Sequence, residues 1–576
     1  MGRRESRVKV DSLELEDILG ADNVTFDEET CRIYSEDAAN LPMLASQIIH
    51  NRFDIVAQPV TVESIQRLLE YIRNHRIPLV PRGNGTSGWG GSIPTKGGIC
   101  LSLTQMSRVI HMDDYGCTVT VEAGMTWREL LMFLERMGMT LPVYPSSATA
   151  ATIGGFVASG GLGIGSSKNG DVRDQVVGLE AVLANGMLVR VGDLQLGPHP
   201  DPLEEEAHAG TKWLEWFLDE SKLNLKAVLT GTYGTLGIIT KVTLRTVPRL
   251  QLLPFACSFD NMNDLVEATQ HILETALPYH LRYLDSNHTS KLAALIGSPL
   301  EWDKFILAGA LHGTIYDNED AMDAIVRIVD DNNGTMLDEN RADFYWAERF
   351  FPLRFKRQGP SLVPAEVLVP VESLARLHED TLASLGSSKI AVEGTVGADG
   401  EASYLVWILD DERKRLRYTI GWHRSFDIAS LAPKHDGSAY AIALWNAHHA
   451  TDFYGDAKFR HLVELKKKVD PKNLLNPLKV FGGRAKVAWQ SQVFGFIAGF
   501  LIALIIGSVG PGLIGLDWLQ ALLTSTPHPL IPIQFTWILS LFGGALGLLV
   551  IRLMTVNQAL SIGIPLLRFM DRLIRK

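Results

Sequence analysis

Apolar residues along most of the chain recur either at helical spacing or in short runs, which predicts mixed α and β structure. The segment "VESIQRLLEYIRNH" places four apolar side chains on one helical face behind Thr61 as an N-cap. Short apolar runs in "DIVAQP" and "IPLVPR" predict buried strands on either side of this helix. Further along, "TWRELLMFLERMG" predicts a helix, and "VVGLEAVLANGMLVRV" predicts a hairpin that turns at Asn185 and Gly186.

Two uncharged apolar runs near the end of the chain have a different pattern. "VFGFIAGFLIALIIGSV" and "IQFTWILSLFGGALGLLVI" lack the polar stripe of soluble helices, and each can cross most of a hydrocarbon core of about 30 Å. They predict a transmembrane hairpin over residues 490–554. Lys and Arg flank the pair and are absent between the runs, so the large N-terminal body and the tail are both expected on the cytoplasmic side. The tail, 555–576, has the pattern of a basic amphipathic segment at the lipid surface.

The segment "PRGNGTSGWGG", from Pro81 to Gly91, contains the Gly-x-Gly-x-x-Gly spacing of dinucleotide-binding turns. That fingerprint must open a helix, whereas the Gly- and Pro-rich residues that follow predict a strand. Consecutive glycines let backbone N–H groups surround an anion, so the segment is interpreted as a phosphate-binding loop, with a tight structural turn as the alternative. A second passage of small residues, "LPVYPSSATAATIGGFVASGG", would let a flat or extended ligand lie against the backbone.

Composition and charge exclude several classes of function. A net charge of −11, without a basic run in the body, leaves no electrostatic footprint for nucleic acid. The four cysteines are scattered without the spacing of a zinc or iron–sulfur site, and a reducing compartment suits them. At 576 residues the chain should divide into two or three domains.

The blocks "VPRGNGTSGWGG", "YPSSATAATIGGFVASGG", "VVGLEAVLANG" and "GTYGTLGIIT", in this order, resemble the FAD-binding domain of the vanillyl-alcohol oxidase/p-cresol methylhydroxylase (PCMH-type) superfamily. The resemblance is to its glycolate oxidase/D-lactate dehydrogenase-like branch, and "VDPKNLLNPLKV" resembles the closing signature. It implies an α+β fold with a two-subdomain FAD-binding domain and an α+β cap domain. The expected segments are the leader and start of the FAD domain at 1–50, the FAD-binding domain at 51–250, the cap or substrate domain at 251–425 and a C-terminal FAD-domain segment at 426–482, before the two transmembrane helices.

The resemblance also implies which residues contact FAD. The pyrophosphate loop falls on Arg82, Gly83, Asn84, Gly85, Thr86, Ser87 and Gly88. The passage beside the flavin falls on Pro145, Ser146, Ser147, Thr152, Gly154, Gly155 and Ser159, and the adenosine end on Gly234 to Ile239. Asn476 lies in the closing turn, where its alternative role is to end a helix before Pro477.

On the substrate side, the resemblance points to Arg349 in a Trp-x-x-Arg segment as the group that pairs with a substrate carboxylate. The alternative is a solvated basic helix face. His448, His449 and Tyr454 stand where relatives present acid/base residues to the flavin, and at most one histidine is expected to act as the base. Packing in the core is the other interpretation of these histidines.

Departures from the family pattern narrow the chemistry. Thr86 stands where relatives with covalent flavin have a histidine, so noncovalent FAD is expected. The region "AVEGTVGADGEASYLVWI" matches the block where metal-dependent relatives have two histidines, and it offers Thr395 and Tyr404 but no histidine, so no metal is expected. The leading hypothesis is a membrane-anchored FAD oxidoreductase that oxidises an alcohol or hydroxy acid on the cytoplasmic side and passes electrons to quinone, oxygen or a partner subunit. The alternatives are a flavin transferase resembling alkylglycerone-phosphate synthase, with a lipid-like substrate, and a non-catalytic flavoprotein subunit of a membrane complex.

Overall fold

A computed structural model describes residues 11–38, 49–194, 196, 212–297, 303–351, 353–357, 361–386 and 389–481. The chain divides into two compact units, and the first, Met1–Pro42 with Asn51–Phe481, contains every element described below. Within the described ranges, no helix combines the length and the apolarity that crossing a bilayer requires. The predicted hairpin at 490–554 and the tail at 555–576 lie outside the described residues.

A small mixed sheet forms the first subdomain. Its strands are β1 (Val24–Thr25), β2 (Ile55–Ala57), β3 (Leu79–Arg82) and β4 (Ile99–Ser102), in the order β1-β2-β4-β3. The helices beside them are α1 (Ser12–Leu19), α2 (Glu28–Tyr34) and α3 (Val62–His75). The predicted helix and its cap are confirmed, because the Thr61 side chain accepts a hydrogen bond from the Ser64 amide. Strands β2 and β3 both pair in parallel with β4. Strand β3 ends at Arg82, directly before the glycine-rich loop.

An antiparallel sheet of five strands forms the second subdomain. The strands are β5 (Val109–Asp113), β6 (Thr118–Glu122), β8 (Val176–Leu183), β9 (Leu188–Gly192) and β10 (Gly237–Arg245), in the order β5-β6-β10-β8-β9; β7 (Met139–Thr140) pairs separately with β11 (Val247–Pro248). The helices are α4 (Trp127–Glu135), α5 (Ile153–Ser159), α6 (Ser166–Asn169), α7 (Val172–Gln175), α8 (Lys212–Ser221) and α9 (Leu225–Leu229). The predicted hairpin is confirmed: β8 pairs with β9, and Gly186 adopts φ 87°, a left-handed conformation that glycine permits.

A larger antiparallel sheet of eight strands forms the third part. Its strands are β12 (Gln251–Phe259), β13 (His280–Leu284), β14 (Phe305–Gly313), β15 (Thr335–Met336), β16 (Ser361–Pro370), β17 (Ile390–Thr395), β18 (Glu401–Asp410) and β19 (Ser438–Ala439), in the order β15-β12-β14-β13-β17-β18-β16-β19. The helices are α10 (Met262–Thr275), α11 (Ser286–Ile296), α12 (Ile315–Asp331), α13 (Glu339–Glu348), α14 (Leu374–Leu385) and α15 (Arg415–Leu431). β19 belongs to the segment 426–482, so this segment adds an edge strand to the cap sheet.

The last described segment returns to the first subdomain. Helices α16 (Ala450–Tyr454) and α17 (Asp456–Val469) lead to the closing turn. There the Leu79 amide donates to the Leu474 carbonyl, and the Asn476 amide donates to the Leu79 carbonyl. The closing turn therefore packs beside β3, next to the start of the glycine-rich loop. Single turns of 3-10 helix occur at Ala21–Asn23, Arg354–Arg357, Val371–Ser373, Ala432–His435 and Ala447–His449.

Candidate functional site

A cavity of about 770 Å³ lies where three glycine-rich segments meet one face of the eight-stranded sheet. Its volume falls in the range of roughly 300–1,000 Å³ that is usual for small-molecule and cofactor sites. The glycine-rich segments supply backbone and small side chains, whereas the sheet supplies charged and aromatic side chains. The two kinds of wall suit two different occupants.

The loop after β3 lies tightly against the second glycine-rich passage. A Cβ added at Gly83 would overlap the Thr152 hydroxyl, so only glycine fits there. The Asn84 side-chain amide donates to the Ala150 carbonyl at 2.7 Å and holds the two segments together. Gly85 adopts φ 64° and leaves room for the Arg82 guanidinium beside it. The loop therefore combines close backbone approach with a cation at its base, as a diphosphate site needs.

A short helix, α5, begins inside the second passage, where only a side-chain-poor segment was expected. The Thr152 hydroxyl caps it by accepting from the Gly155 amide at 3.3 Å. A Cβ added at Gly154 would come within 2.5 Å of the Ala123 Cβ, so glycine lets this helix pack directly on the end of β6. Ile153 and Val157 supply the buried apolar face that the glycines lack.

The third glycine-rich segment, "GTYGTLGIIT", is held in place by backbone hydrogen bonds and by the Asn476 side chain. We call this segment the third cluster. The Tyr233 amide donates to the Ala158 carbonyl at 2.9 Å, which ties this cluster to α5. The Asn476 side chain donates to the carbonyls of Gly91 and Tyr233, at 3.0 and 2.6 Å. Asn476 thus connects two of the glycine-rich segments from behind, and its own side chain does not line the cavity.

Most of the sequence-predicted site residues line this one cavity. They are Arg82, Gly83, Asn84, Gly85, Thr86, Ser87, Gly88, Pro145, Ser146, Ser147, Thr152, Gly154, Gly155, Ser159, Gly234, Ile239 and Arg349. Residues that are distant in sequence, assigned to the cofactor or, for Arg349, to the substrate, are thus brought to a single site.

His448, His449 and Tyr454 do not line the cavity. The imidazole rings of the two histidines lie 4.1 Å apart, and His449 Nδ1 lies 3.4 Å from an Asp452 oxygen. Burial lowers the pKa of His448 to about 4, so its imidazole is neutral at pH 7. The Tyr454 hydroxyl donates to the Gly231 carbonyl at 2.6 Å. Their acid/base role stays a prediction that this placement does not favour.

The sheet face that closes the cavity carries ionisable groups that the sequence analysis did not single out. They are His280 and Arg282 on β13, Glu366 on β16 and Glu393 on β17. Directly opposed residues of antiparallel strands share a face, and both glutamates pair with Leu405 of β18. The available sequence signal for the two glutamates was that alternate side chains in "VEGT" and "AEVLVP" lie on the same face of a strand. Whether that face lines a cavity depends on pairing with strands that are far away in sequence.

Arg349 also lines the cavity, and it directly follows α13 in the chain. Its guanidinium stacks on the rings of Trp346 and Phe350, 3.8 and 4.1 Å from their centroids, and its Nη1 donates to the Trp346 carbonyl. Arg349 Nε is buried without a hydrogen-bond partner, and no carboxylate of the described residues forms an ion pair with this side chain. Burial lowers the pKa of Arg349 below its usual value, yet the group stays charged. A positioned cation with an unused donor is a ready anchor for an anion.

The residues present fit FAD. Glycines at points of backbone contact, a cation below the first loop and a wall of small side chains suit a long cofactor with a diphosphate centre. No group of three metal-ligating side chains occurs in the described ranges. Thr395 lines the cavity, whereas the Tyr404 hydroxyl lies 3.0 Å from His378 Nδ1 in the interior.

Comparisons with known proteins agree with this geometry. Residues 53–192 match the FAD binding domain family, and residues 255–480 match the C-terminal domain family of FAD linked oxidases. A probable mitochondrial D-lactate dehydrogenase of Danio rerio is 29% identical over 74% of this chain and 84% of its own. The glycolate oxidase subunit GlcD of Bacillus subtilis is 30% identical over 40% of this chain and 45% of its own, so the match spans less than half of that relative.

Solved structures show the same fold at low sequence identity. p-Cresol methylhydroxylase with substrate bound superposes with a TM-score of 0.65, at 17% identity over 81% of this chain and 96% of its own. Alkyldihydroxyacetonephosphate synthase superposes with a TM-score of 0.63, at 18% identity over 82% of this chain and 87% of its own. Together with the site, these matches place the chain in the vanillyl-alcohol oxidase/p-cresol methylhydroxylase superfamily, as an FAD-linked oxidoreductase.

Proposed function

We propose that this protein oxidises a small 2-hydroxy acid with bound FAD. The observation that carries the proposal is Arg349, a buried guanidinium at the cavity whose Nε has no partner. A carboxylate on the substrate would satisfy this donor and neutralise the charge. FAD, when bound, supplies the hydride acceptor for the carbon next to the hydroxyl.

The chain's own residues would bind and orient the substrate. Arg349 is held by two aromatic rings, so little side-chain freedom is lost when an anion binds. The names of the relatives, D-lactate dehydrogenase and glycolate oxidase, agree with a substrate that carries both a carboxylate and a hydroxyl. A synthase-like reaction that uses the paired histidines is less favoured, because His448 and His449 lie outside the cavity lining.

Anaerobic flavin bleaching tests this activity. Purified protein with bound FAD is mixed with D-lactate, glycolate or D-2-hydroxyglutarate, and propane-1,2-diol serves as the neutral control. We expect loss of the oxidised flavin absorbance with at least one of the acids and a much slower loss with the diol. A flavin that stays oxidised with every acid would refute the proposal and favour a non-catalytic subunit.

We further propose that the two apolar runs anchor the protein to a membrane, with the flavin domain and the tail on the cytoplasmic side. The support is their length, their lack of charge and the distribution of Lys and Arg around them. The full-length protein should float with lipid vesicles after a high-salt wash. Leu504→Arg, within the first run, should weaken this association more than Leu513→Arg in the connection. Release of the unaltered protein by salt would contradict an integral anchor.

A quinone in that bilayer is the electron acceptor we propose. The anchor would hold the flavin domain beside the quinone pool, and oxygen or a partner subunit is the alternative. After anaerobic reduction by a hydroxy acid, vesicles that contain a ubiquinone analogue should reoxidise the flavin faster than quinone-free vesicles. Equal rates in both preparations would exclude this acceptor.

A further inference from the structure

Glu366 lies on the sheet face that closes the cavity, on β16, the strand next to the edge strand β19. It lies opposite Leu405 of β18, which on its other side lies opposite Glu393 of β17. Opposed residues share a face, so the two carboxyl groups point the same way on either side of Leu405. All three side chains line the cavity. Glu366 therefore faces the space in which we expect the substrate.

The surroundings of Glu366 hold its carboxyl in place but provide no positively charged partner. The Ser403 hydroxyl hydrogen bonds to this carboxyl, and the Ser403 oxygen accepts from the Thr395 amide at 3.0 Å. Because that amide supplies a proton to the Ser403 oxygen, the serine directs its own proton towards Glu366. Among the described residues no Lys, Arg or His forms an ion pair with Glu366. Glu366 is thus an oriented acid without a counter-ion.

Glu393 on the same face and Tyr440 at the glycine-rich side already have partners. One Glu393 oxygen accepts from Arg282 at 2.8 Å, and the other accepts from the Trp407 indole at 2.6 Å. The Tyr440 hydroxyl donates to the Leu162 carbonyl and accepts from the Leu162 amide. Protonation of Glu393 would remove the negative charge that pairs with the buried Arg282, and the Tyr440 hydroxyl, which keeps its own proton, cannot serve as the base.

His280 is the remaining candidate on this face, and electrostatics disfavour it. Its Nδ1 is buried without a partner, so its geometry alone would allow it to accept a proton. However, burial and the charges of Arg282 and Arg349 lower the pKa of His280 to about 3. An imidazole in this environment cannot hold a proton at neutral pH.

We propose that Glu366 is the proton acceptor in the oxidation of the hydroxy acid. The proposal rests on the proposed function. The substrate O–H bond would break and its proton would pass to a carboxylate oxygen of Glu366, as a C=O bond forms on the substrate. Bound FAD would supply the two-electron acceptor for the hydride of the adjacent C–H bond, so the electrons lost by the acid would be accounted for. Arg349 holds the substrate carboxylate during this step.

The environment of Glu366 determines the pH at which it can act. Burial, together with the charge of Glu393, raises the pKa of Glu366 to about 8. The ionisable groups that interact electrostatically with this carboxyl are Glu393, Tyr283, Tyr233 and Tyr440. Arg282, Arg354 and Lys356 also line the cavity. Only the ionised form accepts a proton, so the rate of flavin reduction should rise as the pH increases through this pKa.

Stopped-flow flavin reduction by D-lactate or glycolate, whichever bleaches the flavin, tests the role of Glu366. Glu366→Gln should slow reduction on the order of 10²- to 10⁴-fold and flatten its pH profile, because the amide cannot accept the proton. Glu366→Asp should retain part of the rate and its rise with pH. Glu401→Gln is the matched control: it makes the same substitution in the same sheet, at a residue opposite Pro370 that does not line the cavity. It should behave as the unaltered protein.

A second measurement does not depend on turnover. Infrared difference spectra of the FAD-loaded protein, recorded without substrate between pH 6 and 9, should show the loss of a protonated carboxyl band that is absent from Glu366→Gln and present in Glu401→Gln. A normal reduction rate and pH profile in Glu366→Gln, or the same titrating band in that variant, would overturn the inference. A flavin that no hydroxy acid reduces, with the band still assigned to Glu366, would instead refute the proposed function.

Discussion

The guanidinium of Arg282 lies 2.8 Å from the carboxylate of Glu393 on the neighbouring strand, and both side chains are about nine-tenths buried. Replacing Glu393 with Gln would leave Arg282 charged and buried without its counter-ion. Breaking a buried pair in this way costs about 3–5 kcal/mol. We expect Glu393→Gln to lower the free energy of unfolding by this order, measured by urea denaturation of the full-length protein.

An exposed pair provides the comparison for this effect. Arg249 Nη1 lies 2.8 Å from Glu135, but both side chains are more than half exposed. Solvent screening limits such a pair to about 0–1 kcal/mol, so Glu135→Gln should change stability little. Similar losses in the two variants would show that burial does not strengthen the Arg282–Glu393 pair.

Gly83→Ala should prevent FAD from binding. The added methyl would overlap the Thr152 hydroxyl, which caps α5, so either the loop or the helix must move. We expect purified Gly83→Ala to contain far less FAD per protein than the unaltered protein, as measured by flavin absorbance after release of the cofactor.

A second substitution separates the overlap from other effects at this position. Thr152→Ala removes the hydroxyl, so Gly83→Ala combined with Thr152→Ala should recover part of the FAD content. Recovery should be incomplete, because α5 loses the capping hydrogen bond that the Thr152 hydroxyl accepts, which is typically worth about 1 kcal/mol. An unoccupied double variant together with fully loaded Thr152→Ala would show that the overlap is not the cause.

The cofactor side of the cavity was more predictable from the sequence than the substrate side. Gly83 and Gly154 are needed because other backbone or side-chain atoms come too close for a Cβ, and such positions remain visible as glycine-rich segments. The interpretation of the first loop as a phosphate loop that runs into a strand, and not a Rossmann turn, agrees with β4 following it. Local sequence carried this information.

The substrate side depends on strand pairing, which the sequence does not show directly. Glu366 and Glu393 become neighbours only because β18 lies between their strands, and β18 follows both in sequence. The paired histidines attracted notice because they are adjacent in sequence and because histidine is a common acid/base residue in enzymes. Their placement at a 3-10 turn beside Phe426, outside the cavity lining, follows from contacts that no local pattern encodes.

Arg349→Ala should raise the KM for hydroxy acids far more than for a neutral alcohol. A charge-assisted hydrogen bond contributes about 1.5–3 kcal/mol, which corresponds to roughly a 10- to 150-fold increase in KM. Arg341→Ala, on the exposed surface of the same helix, should leave both values unchanged. Steady-state kinetics with an acid and with propane-1,2-diol distinguish the outcomes, and equal effects on both substrates would remove the proposed role of Arg349.

Acid should destabilise the cap domain partly through His378. Burial lowers the pKa of His378 to about 4 in the folded protein, and its Nδ1 lies 3.0 Å from the Tyr404 hydroxyl. An unfolded histidine takes up a proton near pH 6.5, so between these two pH values the unfolded state binds more protons. The stabilising contribution is therefore complete above pH 6.5 and decreases as the pH falls towards 4.

His378→Gln removes this titration while keeping a polar partner for Tyr404. The difference in unfolding free energy between the unaltered protein and the variant should shrink by up to about 1.4 kcal/mol for each pH unit between 6.5 and 4. Urea denaturation at several pH values measures it, and other titrating groups cancel because they occur in both proteins. Parallel stability curves would mean that His378 takes up its proton equally in the folded and unfolded states, which would contradict its burial as the cause of acid sensitivity.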